Sequence, residues 1–193
     1  VIDLIHKTMT AKWQLQGNRE AQIKELWNEY VPKYLLPRLH GYELMMAPYA
    51  IAHMKIGLKL YETGYDFNSD ERVRIYLTNA LEPVHDLSGT FAFAIPALAN
   101  EAQAVNMVKL KMRFTVITGN PPYLGEGGVS KGWIGDLIED YKKEPGGRIK
   151  LDERNPKWLN DLYVKFIRLS SHLLEQSGQG VIGMITNHGD IDN

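Results

Sequence analysis

"TVITGNPPYLG", residues 115–125, decides how the rest of the chain reads. The run "FTVITG" at 114–119 is apolar and β-branched, the make-up of a buried strand. It stops at Asn120, Pro121, Pro122 and Tyr123. Each of these sits badly in a core: an amide, two residues without N–H groups, and a phenol. The tetrapeptide is either an ordinary turn or a site. At average residue usage it arises by chance on the order of once in a thousand chains of this length. Its place directly after a strand favours a site.

Outward from this stretch the chain alternates. "RLHGYEL" (38–44) and "RVRIYLTNAL" (72–81) read as strands, as does "GVIGMIT" (180–186). Between the first two, Ala47, Ile51, Met54, Leu58 and Tyr61 recur at helical spacing, and Gly64 closes that helix. A second helix starts near Pro96, with Leu98, Ala102, Val105 and Met112 on one face. A third starts at Asn155-Pro156, carries Leu159, Leu162, Phe166, Leu169 and Leu173, and ends at Gly178. An earlier helix over "NREAQIKELWNEYVP" is capped by Asn18 and stopped by Pro32. The glycine-rich stretch 124–154 reads as a loop. This order predicts an α/β domain with a mostly parallel sheet. Ligands bind such sheets beyond the carboxyl ends of the strands. Glu43, Asn79 and Asn120 all fall at such ends.

The motif has a physical use. Two successive prolines hold the backbone extended and supply no competing donors. The side-chain carbonyl of Asn120 and a backbone carbonyl beside it then form two fixed acceptors, suited to an amino group with two hydrogens. Tyr123 offers a face for a planar ring, a contact of roughly 1–3 kcal/mol per base. Acceptors on both hydrogens localise the lone pair of a poorly nucleophilic amine and stabilise the positive charge that builds during attack. No strong base is needed before transfer.

The totals set bounds. The chain has 193 residues, 44% hydrophobic and 23% charged, with a formal net charge of -1. That is ordinary for a globular domain and shows no basic coat for nucleic acid. Cysteine is absent, which excludes disulfides and thiolate metal sites and fits a reducing cytosol. The histidines show no metal spacing with acidic partners. His53 and His172 read as surface or packing residues, as do Trp13 and Trp27. Glu43 read alone is a solvated strand-end carboxylate, Asn79 a turn residue, and "KKEPGGR" (142–148) a solvated loop rather than a phosphate contact. No run is long and apolar enough to span a membrane, and no signal peptide opens the chain. The chain starts without Met in what reads as a helix under way, and is expected to be a piece of a longer protein.

"NPPY" resembles the target-amine motif of S-adenosylmethionine-dependent amino-group methyltransferases. "LPRLHGYELMMAPYAIAHMKIGLKLYETGY", "RIYLTNALEP" and "FTVITGNPPY" resemble, in this order, adenine-specific DNA methyltransferases of large single-chain restriction–modification enzymes. That resemblance implies a Rossmann-like fold, a bacterial cytoplasmic setting, and fusion to nuclease, helicase and target-recognition regions. It implies that Glu43 holds the cofactor ribose hydroxyls and Leu44 lies against the cofactor adenine. Asn79 matches a position where many relatives carry Asp bound to that adenine's amino group. Asn120 and Pro121, stiffened by Pro122, would hold the target amine, and Tyr123 would stack on an adenine flipped out of its duplex. No metal is implied. The family's first strand, with its glycine-rich cofactor loop, is not in the sequence and is expected before Val1. Residues 1–193 would thus be a partial catalytic domain, inactive alone, with 124–154 as a mobile loop over the target base. Its strands would pair 38–44 with 72–81 and 114–119 with 180–186. The four-residue motif is shared with methylases of RNA and of protein glutamine. An RNA or protein acceptor, or an inactive α/β module, therefore stays open.

Overall fold

The computed structural model describes residues 1–83, 96–122, 132–144, 146–152 and 159–186. The chain forms two compact units, Val1–Ala80 and Leu81–Asn193.

In the first unit, α1 (Ile2–Leu15) and α2 (Glu20–Tyr30) pack around Trp27, which is 1% exposed, with Ile23, Val31, Leu35 and Leu60. The Trp27 indole N–H donates to Thr63 Oγ1 at 3.0 Å. Asn18 does not cap α2. Its Nδ2 donates back to the Trp13 carbonyl and closes α1, while Gln22 Oε1 accepts from the Arg19 N–H at the start of α2. The α-helix ends at Tyr30, just ahead of Pro32 as read, but the chain stays helical beyond it. A π-helical turn, Val31–Leu35, and a 3-10 turn, Leu36–Arg38, carry it on. Proline is tolerated there because the first turn of a helical segment needs no N–H.

Next come β1 (His40–Glu43), α3 (Met46–Glu62) and β2 (Arg74–Leu77). β1 and β2 are parallel, in the register His40↔Arg74 to Glu43↔Leu77. α3 is the long crossover that a parallel pair demands. It turns Leu60 and Ile56 to the core. The stripe read from sequence lies on its other side: Ile51, Met54, Leu58 and Tyr61 are 47–70% exposed.

In the second unit, α4 (Pro96–Lys111) buries Val105 and Val108. It leads to β3 (Val116–Gly119), which pairs in parallel with β4 (Val181–Met184). Both expected strand pairs are thus present. The stretch 124–154, read as loop, contains a helix, α5 (Trp133–Glu139), followed by a 3-10 turn, Asp140–Lys142. Ile134 and Ile138 are buried, one turn apart, and that apolar spacing outweighs the nearby glycines. α6 (Leu162–Ser177) is capped by Asp161, whose Oδ1 accepts from the Tyr163 N–H at 3.3 Å, and ends at Gly178 as read. Asn155 and Pro156, expected to start this helix, lie outside the described residues. β4 starts at a tight approach. A Cβ on Gly180 would sit 2.5 Å from the Thr115 carbonyl oxygen, the same oxygen that accepts from the Val181 N–H at 2.9 Å.

Candidate methyltransferase site

β1 and β2 run parallel, so their carboxyl ends share one edge. Glu43 is the last residue of β1, and Asn79 lies two residues beyond β2. The Thr78 N–H donates to the Glu43 carbonyl at 2.7 Å, which carries the ladder one step past β2. The Glu43 side chain turns to the start of α3. Its Oε1 accepts from the N–H groups of Leu44 at 2.8 Å and Met45 at 3.0 Å. These donors lie at and just before the N-cap of α3, close to the helix N-terminus, where a negative charge is favoured by the helix dipole. One carboxylate oxygen is therefore held, and Oε2 takes no donor among the described residues. Beside it, Leu44, Met45 and Met46 are 62–66% exposed and form an apolar shelf. A fixed acceptor next to an apolar shelf can hold a diol on one side and a flat ring on the other.

The opposite face of β1 is an aromatic wall. His40 and Tyr42 alternate with Gly41 and Glu43, and their rings lie 6.4 Å from the Tyr76 ring. The Arg72 guanidinium lies 5.3 Å over Tyr76. Burial lowers the pKa of His40 and pushes the Tyr42 phenol up to about 12, with Tyr76 adding to it. Both groups are neutral near pH 7, so this wall supports the strand without competing for the charge at Glu43.

In the second unit Asn120 directly follows β3 and is exposed, Pro121 is buried and Pro122 is exposed. The Ile185 N–H donates to the Gly119 carbonyl at 3.0 Å, so β4 fixes the backbone one residue before Asn120. The burial of Pro121 anchors the segment from the other side. Tyr123 lies outside the described residues. Glu43, Leu44 and Asn79 belong to one unit, and Asn120, Pro121 and Pro122 to the other.

The sequence reading missed one feature of the second unit. Arg168 on α6, with its side chain 7% exposed, ties α5 and the following turn to α6. Its Nε donates to the Leu137 carbonyl at 3.0 Å, and its terminal nitrogens to Asp140 Oδ2 at 2.9 Å and Glu175 Oε1 at 3.2 Å. The Arg168 hydrogen bond holds the Asp140 carboxyl below its ordinary range. This clamp fixes the segment that re-enters after the Asn-Pro-Pro-Tyr motif. The apolar spacing of Ile134, Leu137, Ile138 and Tyr141 was the available signal for α5. Among the described residues there is no cluster of His, Asp and Glu able to hold a metal, and no helix long and apolar enough to cross a membrane.

A family profile described as Eco57I restriction-modification methylase matches residues 41–189. The chain belongs to the Eco57I restriction-modification methylase family. That span of the methylase runs from β1 to just beyond β4 and includes both strand-end sites. No curated protein matches the chain. Two solved structures share its fold. One is the ATP-dependent Type ISP restriction-modification enzyme LlaBIII bound to DNA, 20% identical with a TM-score of 0.64, covering 97% of this chain and 12% of that one. The other is a nuclease-deletion mutant of the Type ISP enzyme LlaGI in complex with a DNA substrate mimic. It is 20% identical with a TM-score of 0.56, covering 93% of this chain and 14% of that one. The chain thus spans a small part of the length of either enzyme.

Proposed function

We propose that the chain is the catalytic part of an adenine-N6 DNA methyltransferase that uses S-adenosylmethionine, within a larger bacterial, cytoplasmic restriction–modification enzyme of the Type ISP kind. The observation that carries this is the Asn120-Pro121-Pro122 segment at the carboxyl end of a parallel strand, in a chain of the methylase family. In this reading the chain contributes to a domain of the Rossmann-like kind.

S-adenosylmethionine fits the first unit's edge. Glu43 Oε2 suits the ribose hydroxyls, the Leu44 side of the shelf suits the adenine ring, and Asn79 lies at the same edge with an amide oxygen for its amino group. When bound, the cofactor supplies an electrophilic methyl group. The chain's own residues prepare the acceptor. The Asn120 side-chain carbonyl and the Pro121 carbonyl accept the two hydrogens of the target amine, Pro122 keeps that backbone extended, and Tyr123 stacks on the flipped base. Charge that builds on the nitrogen is met by these oxygens, and the surplus proton leaves to water afterwards. The stretch 124–154 covers the base in this reading, with α5 within it already held to α6 by Arg168. The nuclease, helicase and target-recognition functions lie in other parts of the full-length enzyme.

The test uses the full-length enzyme with labelled S-adenosylmethionine and DNA, RNA and protein acceptors. Label is expected in the N6 group of adenine in DNA. Asn120→Ala should abolish transfer while the fold, read by circular dichroism, is kept. Activity within about tenfold of the parent, or label in RNA or protein instead, would overturn the proposal.

A further inference from the structure

α3 is apolar on two sides. One side turns Ile56 and Leu60 to the core. The other carries Ala47, Ile51, Met54, Leu58 and Tyr61, spaced four, three, four and three residues apart, and all of them are exposed. At about 3.6 residues per turn they fall in one narrow stripe, about 21 Å long, on the side away from Ile56. An alternation of threes and fours is the seam along which two helices pack as a coiled coil. A helix that is apolar all round is one that its protein buries.

The two flanks of the seam differ. Ala50 and Gly57 lie along one. A Cβ on Gly57 would meet nothing within 4 Å, so no contact among the described residues calls for a glycine there. Inside a helix glycine is destabilising relative to alanine, and what it offers is room for a second backbone to come close. Along the other flank lies Lys55, exposed and in no ion pair among the described residues. Helices packed on such a seam match flanking charges of opposite sign.

Resting on the reading above that the chain works within a larger enzyme, we propose that this seam docks an apolar helix from another part of that enzyme. The docked helix carries an apolar seam of its own, comes closest over Gly57 and presents a carboxylate to Lys55. The solved structures that share the fold leave ample length for it, since this chain covers 12% and 14% of theirs. A second copy of this chain fits less well. Pairing α3 with itself about a two-fold axis at Met54 sets the two Lys55 side chains near each other, and like charges repel. Glu43 bonds to the N–H groups of Leu44 and Met45 at the start of α3, so the docked helix also steadies the cofactor edge.

The test places a benzophenone amino acid at position 54 of the full-length enzyme and maps its photo-cross-link by mass spectrometry. The expected cross-link joins position 54 to a peptide of the same molecule outside residues 1–193. That peptide should show apolar residues at alternating spacings of three and four, with an Asp or Glu in reach of Lys55. Leu58→Asp should cut the yield by on the order of tenfold. Gly57→Leu should cut it as well, and because leucine favours a helix more than glycine does, that loss is not unfolding of α3. Lys55→Arg should keep the yield and Lys55→Glu should lower it. A cross-link to residues 81–193, to a second copy or to DNA overturns the proposal, as does no cross-link or a full yield in Leu58→Asp. Methylation of DNA by the same enzyme separates the two readings. An enzyme that methylates adenine in DNA without the cross-link overturns the dock alone. One that forms the cross-link and methylates no DNA overturns the function alone.

Discussion

Arg168 offers a sharp test of what holds the segment behind the Asn-Pro-Pro-Tyr motif. Its guanidinium is buried, while its partners Asp140 and Glu175 have side chains 53% and 61% exposed. Arg168→Met removes a bond to the Leu137 carbonyl, a net contribution of about 0.5–1.5 kcal/mol. It also removes two ionic bonds, each discounted to about 0.5–1 kcal/mol because the exposed carboxylates regain water. The cation–π contact with Tyr141, at 5.7 Å, adds about 0.5 kcal/mol. The desolvation cost of the guanidinium disappears with it, so the net loss is about 2–3 kcal/mol. Removing the carboxylates instead, by Asp140→Ala with Glu175→Ala, leaves a buried cation with one carbonyl. That costs about 3–5 kcal/mol. Hydrogen exchange of amides in 133–139 and 162–177 reads this locally. Arg168→Met should speed exchange by roughly 30- to 150-fold, and the double carboxylate variant by more. If the double variant exchanges no faster than Arg168→Met, the burial of the cation is not what sets the strength of this clamp, and the reasoning fails.

Two further outcomes follow from the geometry. Gly180→Ala drives a methyl group into the Thr115 carbonyl that pairs with Val181, so β4 must shift, at a cost of about 1–3 kcal/mol. Exchange of the Val181 amide should rise and methyl transfer should fall with it, and an unchanged Val181 amide would refute the close approach. His6 and His40 both have pKa values lowered by burial, so the unfolded chain binds more protons than the folded one below about pH 6.5. The stability they affect is complete above that value and falls as the pH drops. Exchange in the unit Val1–Ala80 should therefore accelerate between pH 7 and 5 after correction for intrinsic rates. The acceleration should be smaller in His40→Gln, and an equal acceleration in that variant would count against the assignment.

The strands were legible because their signals are local. Val116, Ile117 and Thr118 are β-branched, and the prolines at 121 and 122 end the strand wherever the rest of the chain goes. The strand-end placement of Glu43, Asn79 and Asn120 followed from the same reading. Tertiary terms hid the rest. Glycines on both sides of α5 masked its apolar spacing. Arg168 looks like any helix-surface cation until Asp140 and Leu137, about thirty residues earlier, meet it. Asn18 carried a good cap signal for α2, yet its amide closes α1 instead. The stripe of Ile51, Met54, Leu58 and Tyr61 identified a helix correctly but not the side that faces the core. Periodicity gives the element, and only packing gives its direction.

The parallel pairing of β3 with β4 has a consequence for synthesis. β4 leaves the ribosome roughly sixty residues after β3. At typical elongation rates this is a wait of about 3–12 s. Throughout it Val116 and Ile117 lack their β4 partners, and the backbone beside Asn120 lacks its Ile185 tether. Slowing translation between the two strands should therefore lower the yield of soluble enzyme.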